Sequence, residues 1–101
     1  MGLMKSNLIM KQRMVEMVQS YMVKCNLIEI QKCKEQVVSL ARMSRCVGFS
    51  GEGDIITFHF PSRGGAMMVF LELEDFLDNV SIETSPSFID KNNLKGVFKY
   101  D

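Results

Sequence analysis

A single histidine, an odd cysteine count and no long apolar run set the first limits on this 101-residue chain. Cys25, Cys33 and Cys46 stand at spacings of 8 and 13, which fit no zinc pattern and leave one thiol over if any two pair. They read as small buried hydrophobes in a reducing compartment. For nucleophilic catalysis a thiol–imidazole pair such as Cys46 with His59 would be needed, and no elbow or oxyanion motif marks one. His59 is expected instead as a surface or cross-strand residue. Neither Gly51-Glu52-Gly53 nor Ser62-Arg63-Gly64-Gly65 ends in the Gly-Lys-Ser/Thr of a phosphate loop. Glu72, Glu74, Asp75 and Asp78 have neither the alternation nor the central glycine of a calcium loop, so they read as a solvated rim. No cofactor, no metal and no enzymatic activity is expected.

No stretch approaches the ~18 consecutive apolar residues of a membrane span. The opening residues are broken by Lys5, Lys11 and Arg13, unlike a secretory signal, so an intracellular place, cytoplasmic or nuclear, is expected. Met1-Gly2 with Ser6 fits a myristoylation pattern that is short enough to arise by chance. Net charge is zero but unevenly spread: residues 1–47 hold eight Lys or Arg against three acidic residues, and residues 48–101 hold four against nine. A basic half can steer toward nucleic acid or an acidic partner, although a solvated helix face opposite a solvated sheet face explains the same asymmetry. Tyr21 is the one aromatic residue in that basic half, so no base-stacking platform accompanies the charge.

The apolar and aromatic content is densest from Asp54 to Glu83. Ile56, Phe58 and Phe60 alternate with Ile55, Thr57 and His59, the period of a strand with one apolar face. Pro61 and Ser62-Arg63-Gly64-Gly65 predict a chain reversal. The return segment fits two templates. Val69, Leu71 and Leu73 alternate as in a strand, while Ala66, Val69, Phe70, Leu73, Phe76 and Leu77 form a helical stripe. A helix would place acidic residues at its negative end and would have only glycine as a cap before Ala66, so a hairpin strand is favoured. Val80 to Glu83 predicts a third antiparallel strand, and Gly48 to Asp54 allows a short one ahead of Ile55.

Upstream, Ser6 or Asn7 can cap an amphipathic helix carrying Leu8, Met14, Val15, Val18, Tyr21, Met22 and Cys25. Asn26-Leu27-Ile28-Glu29 has the form of a capping box, after which Ile30, Cys33, Val37 and Leu40 continue the seam as a second helix or a stutter. Methionines, nine in all, concentrate in this segment and suit an adaptable contact surface as well as a core. Downstream, Ser87 or Asp90 onward predicts a short C-terminal helix, weakened by Gly96.

The expected fold is therefore α+β in a single domain. Long or paired amphipathic helices form an arm over 5–45, a three- to four-stranded antiparallel sheet spans 46–85, and a helical tail spans 86–101. An apolar seam of that length needs a cover, which makes Met14, Val18, Tyr21, Cys25, Ile30, Cys33, Val37 and Leu40 the candidate partner-binding residues, in a homodimer, a heterodimer or an internal hairpin. From SLARMSRCVGF through DIITFHF, AMMVFLELED and NVSIET, the layout of residues 30–101 resembles the RWD-like globular ends of coiled-coil kinetochore subunits. That resemblance implies a protein–protein interaction module that heterodimerises through its helix. The layout is also similar to dimeric bacterial secretion chaperones. A small nucleic-acid-associated regulator using the basic half is the alternative function.

Overall fold

The computed structural model describes residues 17–100. The expected caps at Ser6 and Asn7, and Leu8, Met14 and Val15 with them, lie outside these residues. The described chain runs β1 (Met17–Asn26), α1 (Leu27–Gln31), α2 (Lys34–Met43), β2 (Gly48–Glu52), β3 (Ile55–Phe60), α3 (Arg63–Glu74), β4 (Val80–Asp90), a 3-10 turn (Lys91–Asn93) and β5 (Gly96–Val97). The five strands form one antiparallel sheet in the order β4-β1-β3-β2-β5. With α1 and α2 taken as one crossing, the connectivity is that of the split β-α-β motif, extended at the β2 edge by β5.

The fold is thus α+β with an antiparallel sheet, but three of its expected parts are corrected. First, long or paired N-terminal helices are replaced by a strand: Met17 to Asn26 is β1, the partner of both β3 and β4. Tyr21 and Val23 suit a pleated, buried surface, and Cys25 continues their alternation onto the core. The sheet's backbone ladder on both edges of β1 outweighs the weaker helical spacing of Val18, Tyr21 and Cys25. Asn26 does cap a helix, accepting from the amides of Ile28 and Glu29, but that helix is the short α1.

Second, the favoured hairpin return is a helix. Ser62 is the cap, its hydroxyl oxygen accepting from the amide of Gly65 at 3.1 Å. The helix buries Ala66, Val69 and Leu73, with Leu77 just beyond it. Each buried Val or Leu contributes roughly 1.5–3 kcal/mol, against the few tenths that acidic residues near the C-terminus cost. Burial wins.

Third, the C-terminal helix is absent among the described residues. β4 runs through Pro86 to Asp90 as an edge strand. Its register on β1 shifts between Ser20↔Ser87 and Met22↔Glu83, so Thr84, Ser85 and Pro86 stand opposite Tyr21 alone. Proline is tolerated at such a bulge on an edge, where no ladder bond is asked of it. Beyond the 3-10 turn, Gly96 lies so close to the Phe49 ring that a Cβ would sit 2.3 Å from it, which keeps β5 tight on β2.

One sheet face carries the core. Val23 and Cys25 of β1 and Phe58 and Phe60 of β3 meet Ile30, Val37, Ala41 and Cys46 from the first crossing, and Ala66, Val69, Leu73 and Leu77 from the second.

Candidate functional site

The other sheet face carries the polar groups. The register puts Met22 opposite His59 and Gly48 on its far side, so Ser20 of β1 and Ser50 of β2 lie diagonal to the imidazole. Nδ1 of His59 is 2.8 Å from the Ser20 hydroxyl, and Nε2 is 2.8 Å from the Ser50 hydroxyl. Ser20 is 0% exposed and His59 3%, whereas Ser50 is half-buried. Burial lowers the His59 pKa from its ordinary 6.5, so the ring is neutral at neutral pH.

A neutral ring has one donor and one acceptor nitrogen, and Ser20 decides which is which. Among the described residues the Ser20 hydroxyl has no partner but Nδ1. If Ser20 accepted from Nδ1–H, its own proton would be left without an acceptor in an enclosed place, at a cost of roughly 1–3 kcal/mol. The arrangement that satisfies the enclosed Ser20 hydroxyl among the described residues has Ser20 donating to Nδ1, the ring proton on Nε2, and Nε2–H donating to Ser50. The Ser50 hydroxyl accepts from the ring and keeps its own proton free to donate outward.

Ser50 and His59 are among the residues that line a cleft of about 480 Å³. Met17, Phe88, Ile89 and Asp90 of the β1–β4 ribbon, with Asn93 and Leu94, complete its lining. The Asp90 carboxylate accepts from the Asn92 amide at 3.0 Å. A wider trough of about 930 Å³ crosses the same sheet face over Thr57, Ile55, Ser50 and Ser81. Lys24 beside it is bonded to Glu83 at 3.2 Å, an exposed pair. Among the described residues no three His, Cys, Asp or Glu side chains are grouped to hold a metal ion, and no helix is long and apolar enough to cross a membrane.

The expected partner-binding seam does not come together as one stripe. Met14 lies outside the described residues. Val18, Tyr21 and Cys25 are on β1, Ile30 on α1, Cys33 just after it, and Val37 and Leu40 on α2. Cys25, Ile30 and Val37 are buried in the chain's own core, and Tyr21, Cys33 and Leu40 pack against it. The three thiols are free, and burial pushes those of Cys25 and Cys46 up to about 12.

Sequence reasoning missed the apolar surface of the helical layer. On α3 the outward face exposes Met68 by 47% and Leu71 by 55%, and Phe76 beyond it is 43% exposed. Phe76 and Leu40 share a groove of about 540 Å³ between α2 and α3, bordered by Glu35 and Glu72. The signal was the unbroken apolar run from Ala66 to Leu71, which a strand reading divides between two sheet faces.

The C-terminal aromatics reach the basic half only through the fold. The Arg42 guanidinium lies 5.1 Å over the Phe98 ring and that of Arg45 lies 4.2 Å over Tyr100, whose hydroxyl donates to the Cys46 carbonyl at 2.8 Å. These contacts pin the tail to the end of α2 and cover one face of each ring. Comparison with protein-family models, curated proteins and solved structures gives no match for this chain.

Proposed function

We propose that the chain is a non-enzymatic protein-binding module whose contact surface is the outer side of α2 and α3. The observation that carries this reading is the exposure of Met68, Leu71 and Phe76, the last sharing a groove with Leu40, a set of large apolar side chains that a surface helix does not need for its own fold. Glu35 and Glu72 border the groove, so the complementary partner is an amphipathic segment with basic residues flanking its apolar face. The proton on Nε2 supports the non-enzymatic half of the reading. His59 in that tautomer cannot take a proton from Ser50, the step a serine nucleophile requires.

The test is a titration of the isotope-labelled chain with a basic amphipathic helical peptide, read by backbone amide shifts. Shifts at Leu40, Leu71, Glu72 and Phe76 that disappear in Leu71→Asp support the reading. Shifts elsewhere, or none in this groove, contradict it. Sedimentation equilibrium of the wild type and of Leu71→Asp decides whether a second copy is the partner.

A further inference from the structure

We propose that the segment filling the α2–α3 groove is residues 1–16 of a second copy of this chain, an occupant that rests on the reading of that groove as the contact surface. Two observations select it: charge and reach.

The groove is lined by Leu40 and Phe76 with the carboxylates of Glu35 and Glu72, and its described lining holds no Lys or Arg. Both carboxylates are on exposed residues. Its complement is an apolar segment that carries positive charge. Residues 1–16 have that composition: Leu8, Ile9, Met10 and Met14 lie among Lys5, Lys11 and Arg13, against the single acidic Glu16.

Reach decides which copy supplies the segment. The groove lies at the Asn26 end of the sheet, since Phe76 is two residues before Asp78, whose amide donates to Glu29 of α1, and Val80 pairs with Cys25. Residues 1–16 join β1 at its other end, Met17, about 30 Å away along a strand rising ~3.3 Å per residue. A taut chain at ~3.5 Å per residue draws level with the groove only at about Leu8, with Met10 and Met14 spent on the way. As a set, these apolar residues can enter only the groove of another copy. Two copies that exchange their segments fill both grooves, and the pair closes on a two-fold axis.

The test is sedimentation equilibrium of the full chain and of two charge-reversed variants, Glu35→Lys/Glu72→Lys at the groove and Lys11→Glu/Arg13→Glu in the segment. The wild type should form a dimer, and each variant alone should dissociate about ten-fold more readily, as two exposed pairs turn from attraction to repulsion. Mixed in equal amounts, the two variants should associate as tightly as the wild type, because each groove then meets a segment of opposite charge. A monomeric wild type, variants that dimerise unchanged, or a mixture no more associated than its components would overturn the proposal. The groove itself is scored separately, by titrating the basic amphipathic peptide into Lys11→Glu/Arg13→Glu. Shifts at Leu40 and Phe76 there, with a monomeric wild type, would sink the exchange and leave the contact surface standing.

Discussion

Glu29 and Asn79, 50 positions apart, are joined by two hydrogen bonds: the Glu29 carboxylate accepts from both the backbone amide and the side-chain amide of Asn79. The Asp78 amide donates to the same carboxylate at 2.9 Å. One side chain on α1 thereby caps the turn between α3 and β4. The Asn79 side chain, followed by the two backbone donors, holds the Glu29 pKa below its ordinary 4.5. A lowered carboxylate pKa means the stabilisation is complete above pH 4.5 and is lost as pH falls through the folded-state value. Glu29→Gln should therefore lower the melting temperature at neutral pH and narrow its gap to the wild type in acid. Melting curves across that range check it, and a gap independent of pH would count against the clamp.

How far the sequence could carry this fold depends on where each side chain finds its partner. β3 was legible because Ile56, Phe58 and Phe60 share one face while Thr57 and His59 stand on the other, so alternation survives in the sequence. β1 was not. Met22 breaks its alternation by setting an apolar side chain on the Ser20 face, opposite His59, while Val18, Tyr21, Met22 and Cys25 fall at helical spacing. The Ser62 cap of α3 was visible in the sequence but was passed over by starting the helix at Ala66. The Glu29–Asn79 clamp and the Ser20–His59–Ser50 chain each join residues that only the sheet topology brings together. For that reason His59 read as an ordinary cross-strand residue.

Ser44 gives a second prediction. Its hydroxyl is buried at the end of α2 and has no hydrogen-bond partner among the described residues. An unpaired buried hydroxyl costs free energy that alanine avoids, so Ser44→Ala should raise stability by about 0.5–1 kcal/mol. Chemical denaturation with an unchanged m-value reads this, and a loss of more than about 1 kcal/mol would mean the hydroxyl has a partner after all.

Two glycines should respond in opposite directions to alanine. A Cβ on Gly64, in the first turn of α3, meets nothing within 4 Å, so Gly64→Ala should stabilise by about 0.4–1 kcal/mol through the unfolded chain. A Cβ on Gly96 would run into the Phe49 ring, which packs between Phe58 and Phe98 at 6.3 Å from each. Gly96→Ala should destabilise by about 1–3 kcal/mol, the range of an overpacked core. Thermal unfolding of both variants side by side checks the contrast.

His59 predicts an acid-side loss of its own. Burial lowers its pKa below 6.5, so the folded state binds fewer protons than the unfolded chain and stability falls as pH drops below 6.5. Protonation would also give Nδ1 a proton, leaving the Ser20 hydroxyl without an acceptor. A titration of the imidazole carbon-bound protons should have its midpoint below 6.5, and a midpoint above that value would contradict the burial.

The proton on Nε2 underlies both the reading of Ser50 as an outward donor and its exclusion as a nucleophile activated by His59. Because the chain has one histidine, a long-range proton–nitrogen correlation on the labelled protein at neutral pH reports that ring alone. The expected spectrum has Nε2 at the shift of a protonated nitrogen and Nδ1 at that of a bare one. The reverse pattern, with the proton on Nδ1, would make Ser50 the donor to His59 and contradict both conclusions.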